Sequence, residues 1–378
     1  MRTFNNIYLD YNASTPIAGE VLNEMLPYFR EHYGNPSSSH WASDSLKAAI
    51  EQARSRVASA IGASPGEVIF TSGGTEANNH ALQGVYWAAK QKGNHIITTT
   101  VEHPAILNPC AFLESLGAEV TYVEVDRLGR VSPDAIKRAI RKDTILISVM
   151  HANSEVGTFQ PIEEIAVIAK QYGILMHTDA AQTFGKIPVD VNMLGVDLLS
   201  IAGHKLYAPK GVGALYVRNG TKLTSFMHGA GHESGRRAGT ENVPYIVGLG
   251  KAAELAADYA RTNEMHLLKN ALREGLLSLF GDKVRFNGDL ERSLPNTLHI
   301  SFLGMVGQDI LDQLPEIAAS TGSACHSGSY ALSPVLRAMG LNEYEGLGAI
   351  RFSLGRLTTI QDIKNVIALF QERLGLIK

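Results

Sequence analysis

The chain has 378 residues, 45% hydrophobic and 19% charged, with a formal net charge of −3. This is the balance of a soluble globular protein too long for one ordinary core. A charge so near zero gives no electrostatic case for nucleic acid or an anionic membrane as a partner, and no apolar run approaches the roughly 20 residues that span a bilayer. The opening MRTFNNIYLD lacks the apolar stretch of a secretory leader, so the cytoplasm is the expected location. Cys110 and Cys325 are the two cysteines, too few for a disulfide framework and expected to be free thiols. No Cys/His cluster has ligand spacing, so no metal is assigned.

In chain order, YLDYNASTP reads as a short strand and a turn through Asn12, Ala13 and Pro16. Ser43 to Ile61 predicts a helix with Leu46, Ala49, Ile50, Ala53, Val57 and Ile61 on one face and Ser43 or Asp44 as cap. EVIFTSGGTEANNHAL reads as strand, glycine turn and helix start. Such a turn offers N–H groups to an anion, with hydroxyls from Ser72 and Thr75, although an ordinary capped turn is written in the same residues. HIITTTVEHP is a strand ending at His103, where a capping or surface histidine is the plain alternative to a functional one. A helix from Ala105 to Leu116, stopped by Gly117, carries Cys110 as a structural residue. EVTYVEV is a strand, SPDAIKRAI a helix with Ser132 as cap and Pro133 first, TILISVM a buried strand leading to HANSEVGTFQP, and PIEEIAVIAKQYG a crossover helix.

Next, ILMHT delivers Asp179 to the end of one buried strand and DLLSIAG delivers His204 and Lys205 to the end of another, with Gly173 and Gly195 punctuating the pattern as α/β crossovers do. Loops beyond the carboxyl ends of parallel strands hold the ligands in such folds, so a carboxylate and a lysine should face one crevice. Lys205 sits among small and apolar neighbours, and its pKa should fall, as an amine that forms an imine with a carbonyl requires. A snorkelling lysine or an ion pair is the alternative. Asp179 favours the first reading, because a pyridinium nitrogen needs a fixed anion to stay protonated. GVGALYVR is a strand, HGAGHESGRRAGTENVP a glycine-rich basic loop, and a helix from Pro244 towards Ala260 leads out of the first domain. ASTGSACHSGSYALSP, flexible by composition, exposes Cys325 among glycine and serine.

The HTDAAQ and AGHKLYAPKG runs, with YLDYNASTP near the start and RFSLGR near the end, resemble pyridoxal-phosphate (PLP) enzymes of fold type I, specifically the class V aminotransferase-like group of cysteine desulfurases and selenocysteine lyases. The resemblance implies an α/β fold like that of aspartate aminotransferase. A large PLP-binding domain over 16–255, with a mostly parallel sheet flanked by helices, would be joined by a smaller α+β domain made of 1–15 and 256–378. It implies that the PLP phosphate sits at Gly74 and Thr75, that His103 stacks on the ring and relays a proton, and that Asp179 faces the ring nitrogen. Gln182 would donate to the phenolic oxygen, Lys205, beside His204, would hold the cofactor, and Thr240 would reach the phosphate in the partner subunit of a homodimer. Arg351 would bind the substrate carboxylate, and Arg356 would be structural.

Two positions depart from the family pattern. Ser154 stands where an asparagine usually helps hold the phenolic oxygen and the substrate carboxylate, so Asn153 is expected to share that role; Ala202 stands where a serine often reaches the phosphate. The family's nucleophile corresponds to Cys325, next to His326 where many desulfurases carry threonine. The implied reaction converts L-cysteine to L-alanine and leaves the sulfur on Cys325 as a persulfide for an acceptor protein. Release of selenium from L-selenocysteine is the alternative, and an aminotransferase or a non-catalytic PLP-binding protein the remoter ones.

Overall fold

The computed structural model describes residues 6–259, 263–321, 323–326 and 329–375, without the side chains of 257–259, 323–326 and 329–330. Seven strands form the main sheet: β1 (Val68–Thr71), β2 (His95–Thr99), β3 (Glu119–Val123), β4 (Thr144–Ser148), β5 (Leu175–Asp179), β6 (Leu198–Ala202) and β7 (Gly213–Val217). Their order is β1-β7-β6-β5-β4-β2-β3, and only β7 runs against its neighbours. Alternate residues of each strand enter different cores. Phe70, Ile97, Ile147 and Leu199 pack on the face covered by the helices Asp44–Ala60 and Val243–Tyr259, while Ile69, Ile96, Leu146 and Leu198 pack on the face covered by Gly74–Ala89 and Pro104–Ser115. Burial on both faces is why these strands read as continuous apolar runs.

The expected helices form, with differences at their ends. The helix after Ser43 runs over Asp44–Ala60 and buries the predicted face, but Ser43 does not cap it. Its hydroxyl donates to the carbonyls of Ser38 and His40, each at 2.8 Å, around a 3₁₀ turn at Trp41–Ser43. Ser132 occupies the cap position of Pro133–Ala139 without a side-chain cap bond. The Val243–Tyr259 helix lies against Asp44–Ala60 so closely that a Cβ on Gly250 would fall 2.6 Å from the Ala53 Cα; only glycine fits there.

A second core surrounds an antiparallel sheet in the order Ser320–Thr321, Ala349–Ser353, Thr297–Phe302, Val284–Phe286. Its buried residues are Ile7, Leu9 and a set from Leu268 to Leu374, whereas the main-sheet cores draw on residues from Val21 to Ala256. The opening segment joins the two. Ile7–Tyr8 pairs in parallel with Ile317–Ala318, Tyr11 N–H donates to Ser353, and Thr15 then bonds to the carbonyl of His204 through both its N–H and its hydroxyl at 3.0 Å. Within the segment that bears Cys325, expected to be flexible from its composition, Ser323–His326 pairs with Ser329–Leu332 as an antiparallel ribbon.

Candidate active site

The parallel strands end at one cavity of about 440 Å³, a size suited to a small cofactor with its substrate. Beyond β1 the chain turns through Gly73 (φ 150°) into the helix that starts at Gly74. The first N–H groups of that helix have no intrahelical acceptor, and Gly74 and Thr75 line the cavity. A Cβ on Gly74 would stand 3.1 Å from the Ala202 Cβ, so the bare glycine lets the helix start lie against the end of β6. Glu76 fixes the turn by accepting from the Ser72 N–H at 2.8 Å and holds the Arg237 guanidinium at 2.8 and 3.1 Å.

At the end of β5, Asp179 Oδ2 accepts from the Asn78 amide at 2.7 Å and Oδ1 from the Ala181 N–H at 2.9 Å, which locks the carboxylate in the cavity wall. At the end of β6, Gly203–Lys205 forms a 3₁₀ turn and Tyr207 takes a left-handed conformation, φ 67°. The opening segment clamps this turn: Thr15 Oγ1 accepts from the Tyr207 N–H at 2.9 Å and Ala18 N–H donates to the Tyr207 carbonyl at 3.0 Å. Lys205 Nζ donates to the carbonyls of Asn12 and, at 2.8 Å, Ala13. Burial, and then the nearby Arg351, push its pKa down to about 8, against the opposing pull of Asp10 and Asp179. The fall expected from its apolar surroundings is present.

His103 ends the β2 loop and caps the next helix, its Nδ1 accepting from the Ala105 N–H at 3.0 Å. In the neutral ring this puts the proton on Nε2, and burial lowers the pKa further. The plain capping role and a place in the cavity wall therefore coexist in one residue. Its neighbour Glu102 is fully enclosed, accepts from Thr99 Oγ1 and the Met150 N–H, and is pushed up to about 8 by burial. It ties the ends of β2 and β4 together beneath the site. His204, also in the wall, is pushed down to about 4 by burial and then by Lys205.

Ser154 lines the cavity, but Asn153 does not. Its amide donates to the Val101 carbonyl at 3.1 Å and its oxygen accepts from the N–H groups of Glu155 and Val156, so it holds its own loop and does not share the role expected of it. Gln182 lines the cavity with its amide donated to the Asn12 carbonyl at 3.0 Å. Arg351 reaches the cavity from the second core, donating to Asp10 at 2.7 Å, Ser320 Oγ at 3.0 Å and the Ser154 carbonyl at 3.0 Å, while its buried Nε has no acceptor among the described residues. Arg356 instead lies over the Tyr207 ring, 4.2 Å from its centre. Cys110 is buried and its thiol pushed up to about 12.

Thr240 is exposed and outside this cavity. Its loop is anchored at Glu233, which pairs with Arg54 at 2.7 and 2.9 Å, accepts from the Phe70 N–H at 2.9 Å, and lies with Ser234 in the left-handed region. Breaking a buried pair strands the remaining charge. Glu233→Ala is therefore expected to lower unfolding stability by about 3–5 kcal/mol in chemical denaturation. The Cys325 backbone lies opposite Tyr330 in the ribbon; its side chain, like that of His326, lies outside the described residues. Among the described residues no group of three or more His, Cys, Asp and Glu could hold a metal ion.

The donor set suits a phosphorylated pyridine. It offers a bare helix start for the phosphate, a fixed carboxylate for the ring nitrogen, a poorly solvated amine for the aldehyde, and a buried Asn78 Oδ1 without a partner among the described residues. Fold and cavity together define a PLP enzyme of fold type I. The family Aminotransferase class-V matches residues 7–366, and the chain belongs to it. The chain is 51% identical over 362 residues to "Cysteine desulfurase IscS" of Dictyoglomus turgidum, covering 94% of this chain and 91% of that protein, and 48% identical to the protein of the same name from Methanosarcina thermophila, covering 97% and 91%. Among solved structures it resembles a "NifS-like protein" (TM-score 0.92, 38% identity, 98% of this chain and 100% of that one) and "SspA in complex with cysteine" (TM-score 0.80, 38% identity, 92% and 98%).

Proposed function

We propose that the protein is a PLP-dependent cysteine desulfurase that converts L-cysteine to L-alanine and passes the sulfur to Cys325. The observation that carries this reading is the convergence of Lys205, Asp179 and Arg351 on one cavity, the first two from neighbouring strand ends and the third from the other core. The curated relatives named as cysteine desulfurases and the cysteine complex of a structural relative support it.

PLP, when bound, supplies an aldehyde for an amine and a ring that takes up electrons from the substrate. Gly74 and Thr75 would hold its phosphate, Asp179 its ring nitrogen, and Gln182 and Ser154 its phenolic side. His103 would lie against the ring, and His204 would close the wall beside Lys205. Lys205 would hold the cofactor through its aldehyde and would take the substrate's α-proton. Arg351 would receive the substrate carboxylate, with Asp10 holding one terminal nitrogen of its guanidinium. The sulfur leaves the β-carbon for the Cys325 thiolate, and a hydrogen takes its place on carbon. The products, alanine and a persulfide, balance cysteine plus a thiol, so no outside oxidant or reductant is needed. Two copies of the chain form the working unit, Thr240 of each completing the other's phosphate site, and a separate acceptor protein removes the sulfur.

The test is alanine production from cysteine and from selenocysteine at matched concentrations, with mass analysis of Cys325. A persulfide on Cys325 with cysteine supports the reading; turnover of selenocysteine alone, without persulfide, overturns it. Arg351→Gln is expected to raise KM for cysteine roughly 10- to 100-fold, the worth of a charge-assisted hydrogen-bond pair, and to leave kcat much less affected.

A further inference from the structure

A second lysine stands beside the first. Lys186 Nζ donates to Asn12 Oδ1 and to Gln182 Oε1, each at 2.7 Å. Asn12, only 1% exposed, is the point at which the site's parts meet. Its amide donates to Thr297 Oγ1 at 2.8 Å and to the Ser154 carbonyl at 3.2 Å, its N–H donates to Ser353 Oγ at 2.9 Å, and its carbonyl accepts from both Gln182 and Lys205. The oxygen bonded by Lys186 and the carbonyl bonded by Lys205 thus belong to one residue. Lys186 and Lys205 also share the wall of a second, smaller cavity of about 140 Å³. A buried amine is costly unless its bonds are made. Nothing in the chemistry proposed above uses this one.

We propose that Lys186 is a positioning residue for Lys205: by holding the Asn12 side chain it fixes the Asn12 and Ala13 carbonyls that seat the reactive amine. This rests on the desulfurase reading and adds to it a residue that touches neither cofactor nor substrate. The groups facing Lys186 are Lys205 and Arg351 on the side of the main cavity, and Tyr11, Tyr207, Glu264 and Arg356 around the small one. Burial, then Lys205 and Arg351, hold the Lys186 pKa well below the ordinary lysine value. Removing it takes away the two hydrogen bonds that hold Asn12 Oδ1 and Gln182 Oε1. Loosened carbonyls stabilise the Lys205 ammonium less, and its pKa falls further.

The experiment uses full-length protein with and without PLP. Lys186→Met should still bind PLP, with kcat for alanine formation reduced roughly 10- to 100-fold through misplacement of the amine and KM for cysteine nearly unchanged. In the PLP-free protein the pH midpoint for acylation of Lys205, followed by mass spectrometry, should drop by about half a unit or more. Asn12→Ala should act in the same direction, and the double variant should be no worse than the poorer single one, because both act through one contact. Unchanged kcat with an unmoved midpoint, or fully additive losses, would overturn the proposal. If Lys186→Met does not fold, Lys186→Gln, with one amide in place of an amine bonded to two acceptors, should show the same changes at smaller size, and wild-type values there would overturn it. A wild type that binds no PLP would instead sink the desulfurase reading.

Discussion

Lys205→Ala is expected to bind PLP without covalent attachment, to lack the visible band of a lysine-linked cofactor, and to release alanine from cysteine at least about 10⁴-fold more slowly than wild type, since both the attachment point and the general base are lost. The size of the effect follows from how the amine is prepared. With its pKa at about 8, Lys205 exposes roughly 300 times more free amine near neutrality than a lysine at 10.5 would. The carbonyls of Asn12 and Ala13 keep it at the cavity wall. Burial and Arg351 depress the pKa and the neutral form attacks the aldehyde, so PLP attachment in wild type should speed up as pH rises through about 8 and level off above it. Absorbance after mixing with PLP and mass spectrometry of the borohydride-reduced protein check both statements. Turnover retained by Lys205→Ala would refute the assignment.

The amino-acid sequence makes legible those parts of the site that are contiguous in the chain. The strands β4 and β6 are short apolar runs because both faces are covered, and the SGGT turn and the GHK turn each lie within a few residues of the strand that delivers them. The hub at Asn12 is illegible there because its partners, Ser154, Lys186, Asn296 and Ser353, lie 142 to 341 positions away. Asn153 departs from its expected role for a related reason. Adjacency to Ser154 makes it a natural substitute, but the N–H groups of Glu155 and Val156 need an acceptor, and the loop uses the side chain on itself. His177 shows the same limit inside the sheet. It bridges Ser148 and Ser200 at 2.9 and 3.0 Å across three strands, a ladder that depends on strand order. Asn12 and His177 are ambiguous by residue type and are settled by long-range contact, Asn153 by the needs of its own turn.

Cys325→Ala should leave PLP binding intact, abolish the persulfide, and slow alanine formation from cysteine by a factor of at least about 10² to 10³, as loss of a covalent nucleophile implies. The segment that carries Cys325 begins at the carboxylate clamp. Ser320 pairs with Arg351 in the second sheet, accepts from its guanidinium and donates to Asp10, and Cys325 follows five residues later in the ribbon opposite Tyr330. Selenocysteine separates the two chemistries, because its ionised selenol can release selenium as the element while the carbon–selenium bonding pair stays on carbon and takes a proton, so alanine forms without a thiol to receive the chalcogen. Cys325→Ala should therefore keep much of any alanine production from selenocysteine while losing it from cysteine. Alanine release from cysteine at the full rate in this variant would show that sulfur leaves by another route.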